Sequence, residues 1–204
     1  NSYVYDSGKL RLASYRPFVK QNFYLSRTLN NSVYQIPKFF PQPNLENVII
    51  CLTGEGSLGF STLITNLIPD LCFTKMGNGG AQCFPLYYYE ENNSAQKSIF
   101  DTDDSNKYVR RDAISDFILE RATNQYGKNV TKEDIFYFVY GFLHCTEYRE
   151  TFANDLKKML PRIPLVEDVK DFWAFSKAGR KLAELHLNYE SVAPFSDVKV
   201  TGDD

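Results

Sequence analysis

The sequence predicts an α+β protein, a β-rich N-terminal half packed on a C-terminal helical bundle. Three observations predict it. Residues 1–91 are short apolar or aromatic runs broken by Gly, Pro, Asn and Asp, the punctuation of strands and turns. Residues 109–190 carry apolar side chains at helical spacing behind capping residues. Between them, 92–108 is a polar loop, and 191–204 reads as a tail. The 204 residues are 43% hydrophobic and 24% charged. That is close to a globular average, so a single domain over 1–204 can bury a core.

The elements follow in order. Residues 3–5 and 10–12 flank Asp6-Ser7-Gly8, the pattern of a hairpin turn. Residues 23–25 are a further short strand. Pro37, Pro41 and Pro43 forbid regular structure just before Asn44. Val48-Ile49-Ile50-Cys51-Leu52 is β-branched and apolar throughout, which predicts a buried strand. Residues 84–89 are aromatic and strand-like, and Pro85 suits a strand start or an edge. Ile114, Phe117 and Ile118 share a helical face that should end near Gly127. Thr131-Lys132-Glu133-Asp134 has capping-box character, ahead of the stripe Ile135, Phe138, Val139, Phe142 and Leu143. Thr146 is placed to cap another helix carrying Phe152, Leu156 and Met159, stopped by Pro161. A last helix is expected from about Asp168 to Leu187, with Phe172, Trp173, Leu182 and Leu185 inward. Neither internal repeats nor low-complexity tracts occur.

Several function classes fall away. The net charge of −2 argues against a non-specific DNA coat protein. The distribution says more than the sum. Lys9, Arg11, Arg16, Lys20, Arg27 and Lys38 lie between residues 7 and 45 with no acidic residue among them. Residues 1–89 carry +3 and residues 90–204 carry −5, so one half can face an anion. The longest apolar runs are far too short to cross a bilayer, and no membrane partner is expected. No secretory leader opens the chain, and Asn1 stands where an initiator Met would, so it reads as a piece of something longer or as a trimmed chain. Cys51, Cys72, Cys83 and Cys145 lack zinc-knuckle spacing, so no metal is expected; they read as reduced, mostly buried thiols of a cytoplasmic protein.

Gly54-Glu55-Gly56-Ser57-Leu58-Gly59 fits G-x-G-x-x-G after an apolar strand. Phe60, Leu63, Ile64, Leu67 and Ile68 behind it have helical spacing. No acidic residue ends a second strand at the required distance, and no repeated βαβ pattern follows. A glycine loop needed for positive φ or close backbone approach is preferred, and no cofactor is assigned. Walker, nucleophile-elbow and zincin motifs are absent from the sequence, so no catalytic residue is assigned. Glu90-Glu91 and Asp103-Asp104 read as solvated surface. His144 falls at a helix end, where the dipole favours a cation, and His186 near the end of the last helix; neither has an identifiable nucleophile partner.

Two stretches remain. Tyr15, Phe18, Phe23, Tyr24, Tyr34 and Phe39 interleave with Arg16, Lys20, Arg27 and Lys38, a pattern suited to nucleic acid. Residues 75–82 place three glycines around Asn78 and Gln82, whose amides offer the donor–acceptor pair that suits adenine. Arg16, Lys20, Arg27 and Lys75 are therefore the expected phosphate contacts, and Asn78 and Gln82 the expected base contacts. The alternatives are a nucleotide-cofactor-binding enzyme using the Gly54 to Gly59 loop, or a protein-docking module of a larger enzyme.

Longer segments carry a resemblance. Residues 15–21 (YRPFVKQ) and 33–37 (VYQIP) resemble the opening of the C-terminal specificity domain of Type ISP restriction-modification enzymes. Residues 68–71 (IPDL) and 82–87 (QCFPLY) are similar to its middle. Residues 134–141 (DIFYFVYG), 147–149 (EYR), 160–164 (LPRIP) and 178–186 (AGRKLAELH) are similar to its helical half. The ordered matches run from about Tyr15 to Tyr189. The resemblance implies a target recognition domain that reads a short asymmetric site in double-stranded DNA. It implies partner domains in the same polypeptide: a nuclease, a helicase-like ATPase that translocates on DNA, and an adenine methyltransferase. S-adenosylmethionine, ATP and Mg would belong to that parent enzyme, and no chemistry is expected of this chain.

Overall fold

The structure, a computed structural model, describes residues 4–74, 80–92, 107–193 and 195–198. In chain order these form strands β1 (Leu10–Arg16) and β2 (Val19–Tyr24), a short helix α1 (Ile36–Phe39), then β3 (Ile49–Thr53), β4 (Thr62–Thr65) and β5 (Ile68–Pro69). Strands β6 (Ala81–Pro85), β7 (Tyr87–Glu91) and β8 (Tyr108–Asp112) follow. Helices α2 (Asp116–Tyr126), α3 (Lys132–Phe142), α4 (Thr146–Thr151) and α5 (Val169–Leu187) complete the chain.

The elements stack in three layers around β3. Antiparallel pairing gives a central sheet β4-β3-β6, with Cys51 opposite both Leu63 and Cys83. All five residues of β3 are buried. Ile50 and Leu52, with Ile64, pack on the helices. Ile49 and Cys51, with Leu63, pack on Ala13, Phe40, Ile68 and Phe73 of the N-terminal layer. A strand covered on both faces has no solvent side to mark with polar residues, hence its unbroken apolar run. The outer sheet β2-β1-β5 is tied to the centre by Ser14 Oγ and Thr65 Oγ1, 2.8 Å apart. Asn47 is buried with its amide fully used. Its Nδ2 donates to the carbonyls of Phe39 (3.0 Å) and Tyr87 (2.7 Å), and its Oδ1 accepts from Val48 N (2.9 Å) and Tyr87 N (3.1 Å).

The helical layer follows its sequence signals. Ser115 caps α2, and Gly127, at φ +110°, ends it. Thr131 and Asp134 make the reciprocal capping box of α3, with bonds of 3.2 and 3.0 Å. Phe138 packs at 5.0 Å on Phe172, which stacks at 4.3 Å on Tyr126. Helices α3 and α5 touch through glycine. A Cβ on Gly179 would lie 2.0 Å from the Tyr137 carbonyl oxygen, and one on Gly141 would lie 2.3 Å from that of Phe175.

Some expectations are corrected. Residues 4–6 form no strand; Ser7–Lys9 is a single 3-10 turn, and the N-terminal hairpin is β1–β2, turning at Pro17 and Phe18. Pro37 does not prevent regular structure: at the start of α1 its missing N–H costs nothing. The helical spacing of residues 60–68 gives strands β4 and β5 instead, because pairing with β3 satisfies Thr62 to Thr65. Residues 84–89 are split between β6 and β7, with Pro85 ending an edge strand. Helix α4 stops at Thr151, with Cys145 rather than Thr146 as its N-cap; Leu156 is buried, while Phe152 and Met159 are exposed. Leu185 also faces outward. Most of the polar stretch 92–108 lies outside the described residues.

Candidate nucleic-acid interface

A cleft of about 950 Å³ opens between the β1–β2 hairpin, the segment 29–36 and the edge strand β6. Its hairpin wall carries Tyr15, Gln21, Asn22 and Phe23. Its facing wall carries Asn30, Asn31, Tyr34 and Gln35, and the β6 side carries Gln82. Side-chain amides and aromatic rings therefore converge from three parts of the chain, with Asp70 the one charged residue among the described residues of the lining. Each amide offers both a donor and an acceptor, the chemistry of base-edge recognition. The hairpin wall is strand, and three successive β2 residues, Gln21, Asn22 and Phe23, border the cleft. The facing wall leaves β2 through a turn in which Asn30 Oδ1 accepts from Ser26 N at 2.7 Å.

The expected contact residues divide in this frame. Arg16 closes the end of β1; its guanidinium donates to Asp70 at 2.9 Å and lies 4.1 Å above the Tyr15 ring. Lys20 turns to the helical layer, 2.5 Å from a Glu190 carboxylate oxygen, and that bond raises its pKa. Arg27 sits exposed on the turn before the facing wall, and among the described residues it forms no ion pair. Gln82 pairs opposite Leu52 in the sheet and projects an exposed amide along the cleft. Lys75 and Asn78 lie outside the described residues. Of the expected contacts, Gln82 lines the cleft, Arg16 and Arg27 are not in its lining, and Lys20 turns to the helical layer.

The hairpin is held by α5. Phe18, at φ +61°, meets the rings of Tyr189 at 5.0 Å and His186 at 5.9 Å. His186 Nδ1 lies 2.5 Å from the Tyr140 hydroxyl, and Arg149 approaches His144 Nδ1 at 3.3 Å. Burial first, then the Arg149 and His186 charges, depress His144 to about 4. The cation expected at that helix end is therefore a neutral ring. Burial likewise pushes the Tyr140 hydroxyl up. The cluster ties layers together and offers no paired nucleophile.

The glycine loop has a structural explanation. A Cβ on Gly54 would lie 2.3 Å from the Gly80 carbonyl oxygen, and Gly56 adopts φ +77°. Gly56 N donates to Lys157 O at 2.9 Å, and Ser57 Oγ donates to Gly54 O at 2.5 Å. The loop enters strand β4, antiparallel to β3, so no helix N-terminus stands where a pyrophosphate would bind.

Gln21, Asn22, Asn30, Asn31 and Gln35 were not among the expected contacts. Their signal was the density of Asn and Gln over residues 21–35, which has no period and so escapes pattern reading.

Comparison with known proteins follows from this geometry. The family model described as Type ISP C-terminal specificity domain matches residues 1–203. Among solved structures, the chain is similar to one described as a cryoEM structure of a DrdV–DNA complex. That match has 33% identity and a TM-score of 0.80, over 95% of this chain and 17% of that one. The ATP-dependent Type ISP restriction-modification enzyme LlaBIII bound to DNA gives 30% identity and a TM-score of 0.79, over 97% and 12% of the two chains. A nuclease-deletion mutant of the Type ISP restriction-modification enzyme LlaGI, in complex with a DNA substrate mimic, gives 34% and 0.72, over 96% and 15%. The chain spans less than a fifth of each of these proteins. A search of curated proteins found no match.

Proposed function

The chain belongs to the Type ISP C-terminal specificity domain family, and from that premise we propose that residues 1–204 act as one target recognition domain, reading double-stranded DNA for a larger restriction-modification enzyme. The family is one of specificity domains, so the chain is a recognition module rather than a catalytic one. The observation that carries the reading is the cleft where amides and aromatic rings converge. Phosphate contacts position a protein on DNA and base-edge contacts discriminate sequence. Arg27 has the phosphate role, with Arg16, Lys20 and Lys75 as further backbone cations. Arg16 and Lys20 do so only by sharing or releasing Asp70 and Glu190. Gln82 and Asn78 have the base-edge role, joined by the amides of the cleft walls.

The parent polypeptide supplies the chemistry: adenine methylation with S-adenosylmethionine, and cleavage driven by ATP and Mg through a translocating motor. Its place of work is the cytoplasm. Among the described residues no helix is long and apolar enough to cross a membrane.

Binding tests this division of labour. A duplex is selected by this chain from a random-sequence pool, then compared with its scrambled version at several salt concentrations. Arg27→Ala should weaken both duplexes alike and lower the salt slope by about one. Gln82→Ala should relax discrimination at one position by about 1–3 kcal/mol if its contact is bidentate. If Arg27→Ala changes sequence preference, or Gln82→Ala weakens all duplexes equally, the roles are misassigned. If no duplex is selected, the recognition reading fails.

A further inference from the structure

Tyr34 occupies a place on the cleft that packing does not explain. Its side chain is 71% exposed, although it lines the cleft wall. Its backbone stands at φ +45°, a left-handed conformation that is rare for an aromatic residue. A turn from Val33 to Ile36 holds it there, closed by Ile36 N donating to Val33 O at 3.1 Å. The turn runs straight into α1, whose Phe39 packs against the N-terminal core cluster. The fold therefore presents the ring on a rigid platform. Other exposed tyrosines nearby have partners: Tyr15 lies under Arg16 at 4.1 Å, and Tyr5 stacks on Tyr24 at 5.6 Å. Among the described residues the Tyr34 ring has neither a ring partner nor a hydroxyl hydrogen bond. Asn31 and Gln35 flank it in the same cleft wall.

A strained, solvent-facing ring with no internal partner, set between groups suited to base edges, has the features of a stacking surface waiting for its ligand. Every base has a π-face, so an aromatic ring engages an unstacked base without needing its identity. We propose that Tyr34 stacks on a base of the bound duplex, opening one base step while the neighbouring amides read the edges it exposes. A ring that inserts at a step reaches its partner only if the duplex locally unstacks. Steps that unstack easily, such as pyrimidine–purine steps, are then favoured at that position. This inference rests on the DNA-recognition reading above.

The test uses the 204-residue chain and a duplex it selects from a random-sequence pool, with 2-aminopurine replacing each adenine in turn. Binding of the parent should raise 2-aminopurine fluorescence at one step, the mark of unstacking. Tyr34→Ala should lose that rise and bind about 5- to 150-fold more weakly, as about 1–3 kcal/mol of stacking implies. Tyr34→Phe should keep both, because stacking needs the ring and not the hydroxyl. Tyr34→Gly, which suits φ +45°, should bind as weakly as the alanine variant yet melt no lower than the parent. The proposal is overturned if Tyr34→Ala binds and unstacks like the parent. It is overturned too if Tyr34→Phe fails like Tyr34→Ala, or if Tyr34→Gly melts well below the parent. In each of those results the selected duplex still binds the parent, so the recognition reading stands. If the parent selects no duplex, both readings fall together.

Discussion

Gly179→Ala adds one methyl group where two helix backbones already touch. The new Cβ would lie 2.0 Å from the Tyr137 carbonyl oxygen and 2.7 Å from Gly141 N, both main-chain atoms. Ordinary contact begins near 3.4 Å, so α3 and α5 must part or slide. Neither can do so freely. Ser176 Oγ donates to Asp134 O at 2.9 Å across the same seam, and Phe172 is locked between Tyr126 and Phe138. Overpacking a well-filled interior costs about 1–3 kcal/mol, and a backbone-to-backbone clash belongs at the top of that range. Alanine returns about 1 kcal/mol through its helix propensity. The two effects oppose each other, so the sign of the result is informative. A net loss of about 2 kcal/mol is expected, which lowers the melting temperature by about 4–8 °C in a domain of this size. Urea unfolding followed by the fluorescence of Trp173, the one tryptophan, measures it directly. Unchanged or raised stability would mean that propensity decides and that the helices are not in backbone contact.

Other outcomes follow from the same structure. Phe142→Ala should lose about 3–5 kcal/mol in the same urea assay, since its ring is buried against Phe138, Tyr148 and Phe175; parent-like unfolding would remove it from the core. His144 sits near 4 when folded, against 6.5 for a free imidazole, so the unfolded chain takes up the extra proton first. Stability should be complete above pH 6.5 and fall as pH drops towards 4; His144→Gln should make the change in urea midpoint between about pH 7 and pH 5 shallower, with His186, also lowered by burial, keeping part of it, and a parent midpoint flat over that range would contradict the burial argument. Neither NAD nor S-adenosylmethionine should bind this chain, because the Gly54 to Gly59 loop leads into a strand and two of its polar groups are already bonded within the fold; a micromolar site in calorimetric titration would reverse that assignment.

The sequence was most legible where one local rule sufficed. The apolar run at 48–52 marked β3 because burial on both faces leaves a continuous signature. The capping-box residues at Thr131 marked α3 because a cap acts within its own turn, and α5 begins where its apolar spacing did, with Asp168 as its N-cap. Gly54 was readable as a close approach, although the partner that crowds it, Gly80, was not. Signals failed where tertiary pairing overrode spacing. Residues 60–68 hold apolar side chains at helical intervals, yet β3 offers Thr62 to Thr65 a register that only the folded chain reveals. Charge misled in a similar way. Lys20 looked free for phosphate, but Glu190, far along the chain, reaches it through the docking of Phe18 on His186 of α5 and on Tyr189 beyond it. The other cleft amides were hidden for the same reason: Gln21 and Asn31 meet Gln82 only after the N-terminal sheet has packed against the central one.

The facing wall of the cleft is a length of chain strung between two fixed posts, the end of β2 and the start of α1. Its side chains stay out of the N-terminal core cluster, against which Phe23, Leu25, Ile36 and Phe39 pack on either side of it. Lengthening a connection between fixed ends is cheap: doubling it costs only about 0.6 kcal/mol in closure entropy. Substitution and insertion between residues 26 and 35 can therefore explore new amides, cations and rings while β3 and its helices keep the fold intact. On the proposed reading, this wall of the cleft can change its chemistry residue by residue while β3 and its helices go on holding the fold.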